Sequence, residues 1–258
     1  MISCKLQGGL SNQLFQIAAT YALALRNNDV CSFDFNSCYT PNQGNPSKKY
    51  RDNILSKLTD SNGYRFINNY TEPTFAYNEL PYTKDLILNG YFQSNKYFDG
   101  FKSEILDLFV ISEIDKKKVK DFFDTMGLND KPITSVHIRR GDYLKLPDYH
   151  PVCTIDYYKK AMQEIGNSYF VFISDDMDWV KDNFKANNYV YSTFSDEILD
   201  LTLQTQCDNN IIANSSFSWW GAYLNRNENK KIIAPKIWFG PNGPKDTNDL
   251  IPEGWIIL

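Results

Sequence analysis

The chain has 258 residues, 42% of them hydrophobic and 15% aromatic, and its 27 basic and 31 acidic side chains give a net charge of −4. This length and composition exclude an intrinsically disordered protein and predict one large or two smaller domains around a sizeable core. Because the net charge offers no positive field to a phosphate polymer, we expect no nucleic-acid partner. Any anionic ligand should instead be a small phosphorylated compound held by a few local cations and amides.

The N-terminal segment has a pattern typical of a strand, a glycine turn and a helix. The strand is predicted over residues 2–6, the turn is Gly8-Gly9, and the helix covers 13–25 with Ser11 as its N-cap. Alone, a Gly-Gly turn is weak support for a ligand site, since the lysine of a phosphate-binding loop is missing. A further strand is predicted over 30–35, and the arrangement of the aromatic-rich segments beyond it stays open.

The second half alternates apolar, β-rich runs with helical patterns, which predicts a parallel sheet with helices on both faces. We therefore expect two lobes, residues 1–130 and residues 131–258. Ligands of such sheets bind beyond the carboxyl ends of the strands. The predicted strands are 134–139, 169–174, 189–191, 211–214 and 231–235, and the predicted helices are 154–165, 177–186, 197–208 and 216–225.

The segment HIRRGDY (137–143) directly follows an apolar strand and so should emerge at the ligand-binding edge of the sheet. Two adjacent guanidinium groups there indicate an anion, because their paired N–H donors match phosphate oxygens. Alternation along the strand places His137 and Arg139 on one face and Arg140 on the other. The alternative is structural, with each arginine forming a salt bridge to a nearby aspartate.

A second candidate lies in NSSFSWWG (214–221), where a strand end passes into a helix that begins with serines. Free amides and the positive end of the helix dipole suit a phosphate, to which Asn214, Ser215 and Ser216 would add neutral side chains. The structural alternative is a simple N-cap above a Trp pair packed in the core.

The strand end ISDDMD (173–178) carries three carboxylates with more than one interpretation. Asp176 and Asp178 could hold a divalent metal ion, Asp175 or Asp176 could accept hydrogen bonds from a purine, or Asp176 could cap a helix. Because arginine and amide donors make a metal redundant, we expect no metal site and no cofactor. Five cysteines, an odd number without a C-x-x-C pair, favour reduced thiols. With no long apolar segment, we expect a cytoplasmic protein without an integral membrane segment.

Seven segments span nearly the whole chain in order: GGLSNQLFQIA, GYFQSNKYF, HIRRGDY, FISDDMDW, NSSFSWWGAYLN, IIAPKIWF and PEGWIIL. Together they resemble the alpha-1,2-fucosyltransferase family, glycosyltransferase family 11. The resemblance implies an α/β fold of GT-B type, with two Rossmann-type lobes of parallel sheets and a cleft between them. Residues 1–130 would then be the N-terminal acceptor-side lobe, and residues 131–258 the C-terminal lobe that binds the GDP-sugar. It also implies metal-independent, inverting transfer of L-fucose from GDP-beta-L-fucose to the 2-hydroxyl of a galactose in a glycan acceptor.

The resemblance further implies roles for individual residues. Arg139 would bind the β-phosphate, and Arg140 would also bind the substrate. Asn12 would lie near the reacting centre, with the substrate-binding residues Gly9 and Gln13 in the same loop. His137 and one of Asp175 and Asp176 would contact guanine, whereas Ser215, Ser216 and Phe217 would form the phosphate cradle. Asp142 is a candidate base because it follows the arginines, or else it orients them. The family often has Gly where Ser11 stands.

Two other interpretations stay open at this point. The first is a GT-B transferase that uses another nucleotide sugar or makes another linkage. The second is a carbohydrate-binding module without catalytic activity, in which the many aromatic side chains stack on sugars; a lectin, however, has no use for a double arginine beside a serine-rich helix start. The oligomeric state cannot be inferred from the sequence.

Overall fold

The computed structural model describes residues 1–36 and 45–258. Cys38 lies outside the described residues. The chain divides into two compact units, here called unit 1 and unit 2. Unit 1 comprises Met1–Ser112 and Asp246–Pro252, and unit 2 comprises Glu113–Lys245 and Glu253–Leu258.

Unit 1 contains a small sheet in which the strand order is β1-β3-β2 and both pairings are parallel. The helix after β1, which is rich in Ala, Leu and Ile, buries most of its side chains. The unit's strands and α-helices are β1 (Ile2–Cys4), α1 (Leu10–Arg26), β2 (Asn68–Thr71), β3 (Leu86–Asn89) and α2 (Lys102–Leu108).

Two expectations for this unit need correction. Ser11 is not the N-cap of α1, because the helix begins at Leu10 and Gly9 occupies the cap without a side-chain hydrogen bond. The backbone N–H groups of Asn12 and Gln13 already donate to Gly9 O, which draws Ser11 into the first turn. The predicted strand at 30–35 contributes only isolated bridges within the described residues, from Cys31 to Ile2 and from Phe33 to Asp60.

Unit 2 contains a parallel sheet of six strands in the order β6-β5-β4-β7-β8-β9. Strands alternate with helices along the chain, as predicted, and the sheet confirms the α/β class. The elements are α3 (Glu113–Thr125), β4 (Ile133–Ile138), α4 (Ile155–Ile165), β5 (Tyr169–Ser174), α5 (Met177–Asn183), β6 (Tyr189–Tyr191), α6 (Glu197–Gln206), β7 (Asn209–Ile211), α7 (Ser216–Tyr223), β8 (Ile232–Ala234) and β9 (Ile256–Ile257).

The central strand β4 is buried along its whole length because helices cover both faces of the sheet. On one face Val136 and Ile138 belong to a core cluster with α4 residues such as Tyr158. On the other, Ile133 packs in a cluster with Phe122 of α3 and residues of α6. Burial on both faces is what a continuous apolar strand predicts.

The division between the units lies between Ser112 and Glu113 rather than between residues 130 and 131. The physical reason is that α3 buries its apolar side chains Val119, Phe122 and Phe123 in the core of unit 2. Conversely, the segment 246–252 returns to unit 1. There Asp249 O accepts a hydrogen bond from Ser94 Oγ at 2.6 Å, and the Asp249 carboxylate accepts one from Tyr77 N at 3.1 Å.

In the described part of the chain Cys4, Cys31, Cys153 and Cys207 are free thiols. Among the helices of residues 1–36 and 45–258, none has the length and apolarity that crossing a bilayer requires.

Candidate active site

Arg139 emerges immediately after β4 and lies between two carboxylates. Because β4 and β5 pair in register with Ile138 opposite Ser174, the next residues, Arg139 and Asp175, also meet. Arg139 NH1 lies 2.9 Å from Asp175 Oδ2, and NH2 lies 2.6 Å from Asp142 Oδ1. The sheet register thus brings Arg139 together with Asp175, which lies 36 positions later in sequence. Asp142 follows Arg139 by three positions.

Arg140 has one side-chain ion pair and one contact with an aromatic ring. Its Nε lies 2.9 Å from Asp176 Oδ2, its guanidinium carbon lies 3.7 Å from the ring centre of Trp179, and its backbone N–H donates to Asp175 Oδ1 at 2.9 Å. The Arg140 side chain is 15% exposed, whereas that of Arg139 is 35% exposed. Of the two arginines, Arg139 therefore has the more exposed side chain.

The structural alternative from the sequence, salt bridges at the strand end, is thus present alongside an accessible guanidinium. A guanidinium carries five N–H donors, so two carboxylate contacts leave Arg139 able to bind a further anion. Gly141 permits this packing, since a Cβ atom there would lie 2.6 Å from Asp175 Oδ2. The arrangement holds Arg139 in a fixed position, which is what stabilising charge in a transition state requires.

The aspartates at the end of β5 are occupied by protein groups. Asp176 is the N-cap of α5, where its Oδ1 accepts from Trp179 N at 3.4 Å, and its other oxygen contacts Arg140. Within residues 1–36 and 45–258, no three His, Cys, Asp or Glu side chains converge as metal ligands would. A metal at Asp176 and Asp178 would have to displace Arg140. Contact of Asp175 or Asp176 with guanine stays a prediction.

His137, the last but one residue of β4, is 5% exposed, and its ring centre lies 5.4 Å from that of Phe217. Burial, and secondarily the charge of Arg139, lowers the pKa of His137 to about 3. The imidazole is therefore neutral near pH 7. Its Nδ1 is buried and has no hydrogen-bond partner among the described residues, and the contact of His137 with guanine stays a prediction.

The beginning of α7 has the serine N-cap and the buried Trp pair that the structural alternative predicted, and the phosphate cradle stays a prediction. Ser215 is the N-cap, its Oγ accepting from Phe217 N at 3.3 Å, while Trp219 and Trp220 are fully buried. Ser216 and Phe217 are partly exposed at the first turn. The helix start is thus accessible at Ser216 and Phe217, whereas Ser215, the third residue predicted for the cradle, is only 7% exposed.

Asn214, in contrast, acts on the surrounding loops. It is 1% exposed, and its Nδ2 donates to Pro151 O at 2.8 Å and Trp238 O at 2.9 Å. Its Oδ1 accepts from Cys153 Sγ at 3.3 Å. The side chain therefore positions the turn before α7, and direct contact with a substrate stays a prediction.

Tyr143 is a site residue that the sequence interpretation missed. Its hydroxyl donates to Asn214 O at 3.0 Å, and Arg139 lies over its ring at 5.5 Å. The ring of His150 stacks on the ring of Tyr143, with 4.5 Å between the ring centres. Tyr143 thus joins the arginine segment to the start of α7. The available signal was its place in HIRRGDY, but an aromatic residue there does not predict a long-range hydrogen bond.

The glycine turn of unit 1 forms a separate cluster of neutral groups. Gly8 has φ +75°, and a Cβ atom on it would lie 2.6 Å from Asn12 Nδ2. Gln13 is fully buried and donates to Gly8 O and Asn45 O, both at 2.9 Å. Gln13 therefore stabilises the loop through these two hydrogen bonds. Contact of Gln13 with a substrate stays a prediction. Gly9, Asn12 and Gln13 lie together here.

Comparison with solved structures identifies the class of fold. The fucosyltransferase NodZ from Bradyrhizobium matches with a TM-score of 0.55 at 12% identity, covering 85% of this chain and 90% of that one. POFUT1, crystallised in complex with GDP, matches with a TM-score of 0.52 at 10% identity, covering 90% and 97%. The chain has the GT-B fold of these glycosyltransferases, as the resemblance implied.

Sequence comparison then gives the family. The model of the family described as Glycosyl transferase family 11 matches residues 1–257, and the chain belongs to that family. It is a fucosyltransferase-like glycosyltransferase. Similar proteins are the O-antigen biosynthesis glycosyltransferase WbnK of Escherichia coli, 33% identical over 100% of both chains, and an Alpha-1,2-colitosyltransferase of Escherichia coli, 29% identical over 99% and 98%. The Galactoside alpha-(1,2)-fucosyltransferase 2 of Oryctolagus cuniculus is 27% identical over 84% of this chain and 65% of that one.

Proposed function

We propose that this enzyme transfers L-fucose from GDP-beta-L-fucose to the 2-hydroxyl of a galactose in a glycan acceptor, with inversion and without a metal. The observation that carries the proposal is the accessible Arg139, fixed between Asp142 and Asp175 at the carboxyl end of the central strand. A cationic side chain without fixed partners would be sufficient to bind an anionic substrate. A fixed guanidinium suits a charge that grows during the reaction.

The chemistry follows from the bond that breaks. As the fucosyl carbon separates from the β-phosphate oxygen, GDP gains negative charge, which Arg139 and the amides at the start of α7 would stabilise. The sugar becomes oxocarbenium-like while the acceptor hydroxyl attacks its opposite face and gives its proton to a carboxylate base or to water. We assign Asp142 an orienting role because its Oδ1 is 2.6 Å from Arg139, and keep its role as base as the alternative.

Guanine recognition is assigned to His137 with Asp175 or Asp176, and the cradle to Ser215, Ser216 and Phe217. The neutral state of His137 supports contact with an uncharged base, since its pKa of about 3 excludes a cationic ring near pH 7. Asn12 is assigned to the reacting centre. These roles, like metal independence and a cytoplasmic location, are proposals.

The test is turnover by the wild-type protein with GDP-fucose and a panel of glycans ending in galactose, in EDTA. We expect release of GDP and a product whose linkage, read by NMR, is alpha-1,2. Transfer to a different hydroxyl would overturn the linkage, and strict dependence on added manganese would overturn metal independence. Lack of turnover with any acceptor, together with lack of binding of any GDP-sugar, would overturn the donor assignment.

A second candidate is transfer of another sugar, which the similarity to an Alpha-1,2-colitosyltransferase favours. The groups assigned to the diphosphate and the base would be unchanged, because they do not contact the sugar. Competition between GDP-sugars in the same assay separates the two candidates.

A further inference from the structure

Beyond the glycine turn, unit 1 contains a partly buried carboxylate, that of Glu72, which holds the turn after β3. Because β2 and β3 are parallel and Thr71 is opposite Asn89, Glu72 meets the segment that begins at Gly90. Its Oε2 accepts from Tyr91 N at 2.7 Å, and its Oε1 accepts from Phe92 N at 3.0 Å. Charged acceptors make such bonds stronger than neutral ones.

The space for this carboxylate depends on Gly90. A Cβ atom on Gly90 would lie 2.4 Å from Glu72 Cβ and 2.7 Å from Glu72 Oε2. Tyr97 OH lies 3.5 Å from Glu72 Oε1. The carboxylate is thus enclosed by the turn that it binds.

The turn has a backbone conformation that its sequence disfavours. Phe92 has φ +52° although it carries a bulky side chain, and its ring is fully buried at 5.5 Å from the ring of Tyr97. L-residues with large side chains rarely adopt this region, so surrounding contacts must hold it. The bonds from Glu72 to the amides of Tyr91 and Phe92 supply them.

The next residue connects the turn to the glycine loop. Gln93 is 9% exposed, and its Nε2 donates to Asn12 Oδ1 at 2.8 Å. That bond fixes which side of the Asn12 amide faces the turn, and it leaves Nδ2 on the side of Gly8. The hydrogen bond thereby fixes the orientation of the Asn12 amide.

We propose that Gln93 and Glu72 are positioning residues for the transfer reaction: Glu72 holds the turn at 91–92, and Gln93 orients the Asn12 amide. The inference rests on the proposed function, because it takes Asn12 to act near the reacting centre. Burial raises the pKa of Glu72 although its two backbone hydrogen bonds act in the opposite direction, in keeping with a carboxylate placed for structure rather than solvent contact. Neither residue touches the substrate in this account.

The test is a double-mutant cycle in the full-length protein. We expect Asn12→Ala to lower kcat about 100-fold and Gln93→Ala to lower it about 10- to 100-fold, with KM for donor and acceptor nearly unchanged. The double variant should be within about threefold of Asn12→Ala, because Gln93 acts through Asn12. Multiplying losses would overturn the proposal. Asn68→Ala, which removes an exposed amide from β2, is the matched control and should keep wild-type kcat.

Two further variants separate positioning from folding. Gln93→Glu keeps the size of the side chain but, as a carboxylate, cannot donate to Asn12 Oδ1, so kcat should fall; circular dichroism shows that the variant is folded at the assay temperature. Glu72→Gln keeps only one of the two acceptors and should cause a smaller loss of kcat. Wild-type kcat in Gln93→Glu would contradict the proposal even if Gln93→Ala fails to fold.

A direct readout distinguishes this proposal from the function on which it rests. In 15N-labelled protein, the side-chain NH2 signals that vanish in Asn12→Ala identify Asn12, and in Gln93→Glu they should shift and exchange faster with water. If the wild type does not use GDP-fucose but the signals respond, the proposed function is wrong and the positioning stands. If turnover occurs and neither the signals nor kcat respond, the positioning is wrong.

Discussion

The two clusters of candidate residues hold their key groups in different ways. In unit 2, Arg139 and Arg140 are held by carboxylates, with the distances of the three ion pairs between 2.6 and 2.9 Å. In unit 1, Asn12 is held by the neutral amide of Gln93 at 2.8 Å. The difference teaches that unit 2 fixes guanidinium groups by direct ion pairs, whereas in unit 1 the group in contact with Asn12 is neutral and the carboxylate of Glu72 binds only backbone amides of the neighbouring turn.

The largest effect should come from the residue that we assign to the developing charge. Arg139→Ala should lower kcat about 100- to 1,000-fold because it removes a fixed donor from the β-phosphate. Arg139→Lys should recover only part of this, since an ammonium lacks the paired donors that contact Asp142 and Asp175 together. The measurement is steady-state release of GDP, with circular dichroism to show that each variant is folded. Activity of Arg139→Ala within threefold of wild type would break the comparison.

A smaller effect should follow from loosening the carboxylates while the arginines stay. Gly141→Ala would place a Cβ atom 2.6 Å from Asp175 Oδ2 and so push this carboxylate away from Arg139. We expect kcat to fall about tenfold, since the guanidinium keeps its charge but loses its fixed position.

Gly100→Ala is the control for this prediction, because Gly100 has no atom within 4 Å of the added Cβ. Both variants are assayed by the same release of GDP. Equal kcat for Gly141→Ala and the control would show that the contact between Asp175 and Arg139 does not matter for turnover.

The smallest effect concerns stability at a carboxylate outside both clusters. Burial raises the pKa of Asp200, in α6, from 3.8 to about 6, although Ser192 Oγ donates to its Oδ1. The folded protein therefore holds this proton more tightly than the unfolded chain. The stability that the group contributes is complete below pH 4 and is lost as the pH rises through 6.

Asp200→Asn removes this ionisation and keeps an oxygen for Ser192. At pH 7.5 the variant should be more stable by about 2 kcal/mol, and the difference should disappear towards pH 4. Urea unfolding at both pH values measures it, and turnover should not change. A wild type that is the more stable protein at pH 7.5 would contradict the assignment.

The sheet of unit 2 could be predicted because its strands are apolar and separated by clear helical patterns. The contacts between arginines and aspartates at the carboxyl ends of its strands could be predicted only in part. The sequence offered salt bridges and ligand contacts as alternatives; Arg139 forms the salt bridges, and a ligand contact stays a prediction that its remaining N–H donors allow. The contact from Tyr143 OH to Asn214 O joins positions 71 residues apart and has no local signal.

Unit 1 was less predictable for physical reasons. Strand β2 is short and mostly exposed and carries two asparagines, so it lacks the alternation that indicates a strand. The positive φ of Phe92 depends on Glu72, which lies 20 residues earlier in sequence. The return of 246–252 to unit 1 rests on long-range contacts such as that between Ser94 and Asp249. Such features arise from tertiary contacts that local patterns do not encode.

The central claim is that the end of β4 and the start of α7 bind the diphosphate of a guanine nucleotide. Calorimetric titration of GDP and UDP into wild type and Arg139→Ala, in EDTA, tests it most directly. The account predicts that wild type binds GDP at least about tenfold more tightly than UDP, and that Arg139→Ala loses most of the affinity for both while remaining folded. Equal affinity of the two proteins for GDP would contradict it.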